Sequence, residues 1–256
     1  MQKLIKRSMW LCILGIIALA VSCASAAGTA AEPAEETEAA ESPANDPNVI
    51  TSNRVSEHNG YTYELWNQDD IGSARMTLKE GSTFDIQWRG IFNMLGRIGL
   101  RPGVAETKVT YNVENYSVDD GLSYLALYGW TYNRETEDNL VEFYIVENWI
   151  NYRPGENGTY KGSVVVDGDE YDIYTSLRMQ QPSILGTQTF YQYWSVRKPG
   201  QERTSGTIDI AAHFDAWQEL DMTFGDVLHE VSFCVEGYSG SRNGSGRASV
   251  TELSFH

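Results

Sequence analysis

The chain has 256 residues with 35 acidic against 19 basic side chains, a net charge of −16 that deepens to −19 once a leader carrying Lys3, Lys6 and Arg7 is removed. A protein this acidic is repelled by nucleic acid and by anionic membrane surfaces, which argues against both as partners. Of three cysteines only Cys234 lies in the part that reads as folded, and the histidines at 58, 213, 229 and 256 lack ligand spacing, so neither a disulfide framework nor a metal site is expected.

In chain order, "MQKLIKR" is a basic n-region and "MWLCILGIIALAV" an apolar run too short for a comfortable membrane span. "AVSC" then resembles a bacterial lipoprotein cleavage box. It makes residues 1–22 a signal peptide and Cys23 a lipidation candidate, and any membrane attachment would run through that anchor alone. Ordinary secretion, with cleavage near Ala24 to Ala26, is the other reading. The Ala/Glu/Pro stretch over 23–52 has too little apolar surface to offset its ordering entropy and reads as a disordered linker. The folded domain is expected over 53–256.

From residue 60 onward the chain alternates with period two. "YTYELW", "TFDIQW", "KVTYNV", "SYLALYGWTY", "VEFYIVENW", "YDIYTSLRM", "TFYQYWSVR" and "EVSFCVEGY" are among about a dozen short strands. Turn signals such as "KEGS", "VDDG", "RPGENG" and "KPGQE" separate them. The fold class is therefore all-β, an antiparallel sandwich or jelly roll. One segment departs from this. "AAHFDAWQELDM", residues 211–222, spaces Ala211, Phe214, Trp217 and Leu220 for a short amphipathic helix, with His213 beside the stripe as a hydrogen-bonded structural residue. Asp167, Asp169 and Asp172 in "VVVDGDEYDIY" surround a hairpin turn signal rather than a complete calcium loop. Cys234, in a β pattern, reads as a small buried hydrophobe.

Two glutamates interrupt "VEFYIVENW". On a strand, Glu142 shares a face with Tyr144 and Val146, while Glu147 points the opposite way with Phe143 and Ile145. They cannot act as a pair, and Glu147 reads as a solvated or structural residue. A partner for Glu142 must come from elsewhere, and Glu236 in "CVEGY" is the best candidate, another carboxylate inside an apolar strand. Two opposed carboxylates are the minimum machinery for glycosidic hydrolysis. The 15 tyrosines and 7 tryptophans suit stacking on sugar rings.

"VEFYIVENW", "YRPG", "YDIYTSLR", "QPSI", "QTFYQYWSVR", "RTSGTI", "HFDAW" and "VEGYSGS" resemble, in order and near spacing, the family eleven glycoside hydrolases. The resemblance runs from about residue 60 to 256. It implies a β-jelly-roll of two curved antiparallel sheets and endo-β-1,4-xylanase activity on xylan by a monomer without a cofactor. It further implies Glu142 as nucleophile and Glu236 as acid/base. Tyr128, Tyr144 and Gln192 would support the nucleophile, and Asn93 would stand beside the acid/base and favour a near-neutral optimum. Trp66 would stack on a xylose, and Arg178 to Gly186 would form a hairpin over the cleft with Pro182 and Ile184 at its tip. Arg89, Gly90, Met179 and Gln180 depart from the family's usual residues. A non-catalytic carbohydrate-binding β-sandwich module is the alternative; it needs the aromatics but not the two carboxylates.

Overall fold

The computed structural model describes residues 46–166 and 168–256. Residues 1–22, read above as a signal peptide, lie outside the described residues, as do Cys23, all but the end of the Ala/Glu/Pro stretch, and Asp167.

The strands form two sheets. The six-stranded sheet runs in the order β1 (Val49–Ile50), β4 (Ser73–Leu78), β5 (Phe84–Ile91), β15 (Gly244–Phe255), β7 (Lys108–Asp120) and β13 (Ser205–Asp209). The nine-stranded sheet begins β10 (Thr159–Val166), β11 (Asp169–Ser183), β12 (Gly186–Arg197), β9 (Val141–Ile150) and β8 (Leu122–Tyr132). It continues through β14 (Val227–Tyr238), β6 (Asn93–Leu100), β3 (Tyr61–Asn67) and β2 (Arg54–His58). This is the jelly-roll sandwich that the alternation and the resemblance imply. Neighbours are antiparallel with one exception: β12 and β9 run parallel, Tyr191 opposite Val141 through Val196 opposite Val146.

Period-two alternation builds the layers. In β5, Phe84, Ile86 and Trp88 turn into the space between the sheets while Gln87 and Arg89 face water. In β9 every residue from Val141 to Glu147 is buried, because both of its faces are covered. Val141, Phe143 and Ile145 join the core between the sheets. Tyr144 and Val146 join a second apolar cluster on the opposite face, with Leu95, Tyr128, Trp130, Phe190 and Trp194. Burial of Phe143 alone contributes about 1.5–3 kcal/mol.

The helix α1 runs Ile210–Glu219 rather than over 211–222. Asp209 caps it by accepting from the Ala212 N–H at 3.3 Å, and Asp221, at φ +58°, ends it. Ile210, His213, Phe214 and Trp217 form its buried face, which packs against the nine-stranded sheet. His213 is structural but not hydrogen-bonded: neither ring nitrogen has a partner among the described residues, and the ring meets Tyr171 edge-on at 4.6 Å. Burial holds its pKa down at about 3, so the imidazole is neutral.

Two further expectations are adjusted. Val49 and Ile50 pair with Thr77 and Met76, and Ile50 is buried, so the fold takes in two residues of the stretch read as linker. Glu147 is fully buried, not solvated. It accepts from the Tyr111 hydroxyl at 2.6 Å, the Tyr171 hydroxyl at 2.7 Å and Arg203 Nε at 2.5 Å, and its Oε2 lies 3.2 Å from Arg197 Nε. Because Tyr111 belongs to the six-stranded sheet and Glu147 to the other, this cluster ties the layers together. The "DG" turn closes as expected, Val166 opposite Asp169 with Gly168 at φ +87°. Asp169 pairs with Arg197 and Arg203, and Asp172 with Arg153 and Lys198.

Candidate active site

Strand register sets out the site. Glu142 in β9 stands opposite Trp130 of β8, and Glu236 in β14 stands opposite Tyr124 of the same strand. Tyr128 lies between them on β8, directly opposite Tyr144 of β9. These side chains leave the face of the nine-stranded sheet that is turned away from its partner sheet. Glu142, Glu236, Tyr128, Tyr144 and Trp130 line one cavity of about 460 Å³, which also receives Trp66, Asn93, Arg178, Pro182, Ile184 and Gln192. Every site residue that the sequence indicated within the described region is therefore at this cavity; Cys23 is outside the described residues.

The two carboxylates have different surroundings. Glu142 Oε2 accepts from Gln192 Nε2 at 2.6 Å, and its Oε1 accepts from the Tyr128 hydroxyl at 2.9 Å and the Tyr144 hydroxyl at 3.3 Å. Tyr128 is itself fixed, because the Trp130 indole N–H donates to its oxygen. Tyr144 stacks on Trp194 at 4.2 Å. By contrast, Glu236 Oε2 is buried without a hydrogen-bond partner.

The electrostatics follow from these contacts. Burial raises the Glu142 pKa, but Gln192, Tyr128, Arg178 and Tyr144 all favour its charged form and hold the rise in check. Glu236 is pushed up to about 8, first by burial and then by the Glu142 charge, with the Tyr144 hydroxyl and two arginines opposing. Three donors thus stabilise the charge on Glu142, while burial and that charge favour a proton on Glu236.

Asn93 begins β6 opposite Tyr238, two residues beyond Glu236 on β14, and its buried Oδ1 has no partner among the described residues. Trp66 of β3 stands opposite Leu95, which in turn stands opposite Glu236. The hairpin over the cavity is the β11–β12 turn. It closes at the Ser183–Gly186 pair, so Ile184 and Leu185 form the tip. Pro182 sits one pair back, opposite Thr187, still facing the cavity. Met179 and Gln180 lie in a bulge between Arg178 and Gln181, with Gln180 at φ +51°.

Sequence reasoning missed Trp130 and the ionic group of Arg97, Arg101, Glu64 and Glu230, of which Arg97, Arg101 and Glu64 line the cavity. Arg97 and Glu230 carried a readable signal. Each is a charge inside an otherwise apolar strand, the same feature that singled out Glu142. Cys234 is buried and burial raises its pKa, which leaves it a thiol and no nucleophile.

The chain is similar to known proteins over most of its length. The chain is 44% identical over 204 residues to an endo-1,4-beta-xylanase A of Bacillus pumilus, covering 76% of this chain and 83% of that protein. It is 41% identical over 192 residues to an endo-1,4-beta-xylanase 2 of Humicola insolens, covering 75% and 79%. The family 11 xylanase structure from Neocallimastix patriciarum superposes with a TM-score of 0.71 at 32% identity, over 81% of this chain and 99% of that one. Residues 58–251 match the sequence model of the glycosyl hydrolases family 11, and the chain belongs to that family.

Proposed function

We propose that this chain hydrolyses internal β-1,4-xylosidic bonds by double displacement, with Glu142 as nucleophile and Glu236 as general acid and base. It is an endo-1,4-β-xylanase. The observation that carries the mechanism is the asymmetry of the pair: three donors on Glu142, none on Glu236 Oε2, and a Glu236 pKa of about 8.

In the first step a Glu142 oxygen attacks the anomeric carbon as the glycosidic C–O bond breaks. Glu236 gives its proton to the departing oxygen. The product is a glycosyl ester of Glu142, which has lost its charge. Glu236, now an anion no longer facing another anion, takes a proton from water. The water oxygen bonds to the anomeric carbon and Glu142 leaves as carboxylate. Net retention follows from two inversions.

Trp66 supplies a stacking surface for a xylose away from the reacting bond, and the hairpin residues Arg178, Pro182 and Ile184 close over the chain. Asn93, a neutral neighbour of Glu236, favours a working pH near neutral. The basic n-region and short apolar run support export, and the "AVSC" box supports lipidation of Cys23 at the cell surface. The enzyme acts as a monomer without a cofactor.

The test is release of short xylo-oligosaccharides from xylan by the wild type and by Glu142→Gln. Turnover by the wild type and its loss in the variant are expected. Binding of xylan without turnover by the wild type would support the carbohydrate-binding module instead.

A further inference from the structure

Arg97 of β6 is buried, and its guanidinium carbon lies 4.6 Å from the centroid of the Tyr128 ring. Its nitrogens are committed on the other side. Nη2 donates to Glu64 Oε2 at 2.7 Å and to Glu230 Oε1 at 3.1 Å, and Nε donates to Glu230 Oε2 at 3.3 Å. Arg101 Nη2 and the Ser232 hydroxyl hold Glu230 Oε2 in turn, at 2.9 and 3.3 Å. Burial alone would raise the Glu230 pKa; Arg97 and Arg101 outweigh it and hold that carboxylate below its usual range.

From this geometry we infer that Arg97 is a positioning residue for the hydrolysis, clamped by Glu230 and acting through Tyr128 on Glu142. The inference rests on the reading of Glu142 as nucleophile. The neighbouring rings stand steeply to Tyr128, Tyr144 at 73° and Trp130 at 81°. Arg97 covers a face. With that face filled, the ring cannot tip toward β6 and carry its hydroxyl away from Glu142 Oε1. A desolvated cation is drawn to the negative face of the ring, which favours one ring orientation. The cation also makes the phenol a better donor, opposing the rise that burial and Glu142 impose on Tyr128.

The charge count suggests a clean test. Removing Arg97 and Glu230 together, as Arg97→Met with Glu230→Gln, leaves Arg101 paired with Glu64, so no uncompensated charge is left buried. The folded double variant, on xylan, is expected to lose about 10- to 100-fold in kcat with little change in KM, because misplacement falls on the reacting geometry. The same double change made in Tyr128→Phe, which lacks the hydroxyl, is expected to cost little more than Tyr128→Phe alone. Arg97→Lys, which returns a cation to the ring, is expected to recover part of the loss. If the double variant does not fold, Arg97→Gln decides, since it removes the cation and keeps an amide donor: a fall in kcat of about tenfold or more supports the role, and wild-type kcat overturns it. Wild-type kcat in the folded double variant, or losses that simply multiply with Tyr128→Phe, likewise overturn it. Glu142→Gln run alongside separates the two readings. An inactive Glu142→Gln with multiplying losses removes Arg97 alone, and a fully active one removes both.

Discussion

Gln192 and Glu142 are register partners across the parallel β12–β9 pairing, and the Gln192 amide donates to Glu142 Oε2 at 2.6 Å. The parallel pairing therefore sets this hydrogen bond, since a backbone register cannot slip without moving every side chain to the other face. The donor stabilises the charged carboxylate. Its loss in Gln192→Leu should raise the Glu142 pKa, moving the acidic limb of the kcat/KM profile to higher pH. A buried hydrogen bond to a charge contributes about 1.5–3 kcal/mol, so the expected move is about 1–2 pH units. The pH dependence of kcat/KM on xylan checks it.

The proton on Glu236 depends on the charge of Glu142. With its pKa at about 8, Glu236 should define the alkaline limb of the same profile. Replacing Glu142 by Gln removes the neighbouring charge, and the Glu236 pKa should then fall below that of the wild type. Carbon-13 NMR titration of the Glu236 side-chain carboxyl in both proteins reads the shift directly. An unchanged value would mean that the two groups do not sense each other.

Glu147 sits in the same strand, yet its contacts are with Tyr111, Tyr171, Arg197 and Arg203. Breaking a buried ionic cluster from one side leaves an uncompensated charge and costs about 3–5 kcal/mol. Glu147→Gln should show that loss in urea denaturation. The kcat per folded molecule, counted by titration with a mechanism-based inactivator, should stay at the wild-type level.

His213 gives stability a pH dependence of its own. Its folded pKa of about 3 lies below the ordinary value of 6.5, so between these limits the unfolded state binds a proton that the folded state refuses. Stability from this group is fully present above 6.5 and is lost as pH falls toward 3. In His213→Phe the slope of unfolding free energy against pH should be shallower in that window by up to about 1.4 kcal/mol per pH unit. Denaturant unfolding of both proteins between these limits measures the difference.

Local patterns in the sequence carried much of this. Period two exposed the strands, and a charge in an apolar strand exposed Glu142 and Glu236. The same signal at Arg97 and Glu230 went unread because each gains meaning only from its partner: they lie 133 positions apart, brought together by neighbouring strands β6 and β14. The parallel pairing of β12 with β9 was equally invisible, since β10 and β11 intervene in the chain and period two does not encode strand direction. Glu147 read as either solvated or structural because an isolated strand cannot reveal that four polar side chains from other segments will surround it. The end of α1 was misplaced because Leu220 continues the apolar spacing, whereas the left-handed backbone at Asp221 stops the helix.

Proton NMR of the first sugars released from a soluble xylo-oligosaccharide tests the double displacement most directly. The product signal should begin as the β-anomer and relax to the equilibrium mixture by mutarotation. An α-anomer appearing first would mean a single inverting displacement and would contradict the nucleophilic role of Glu142.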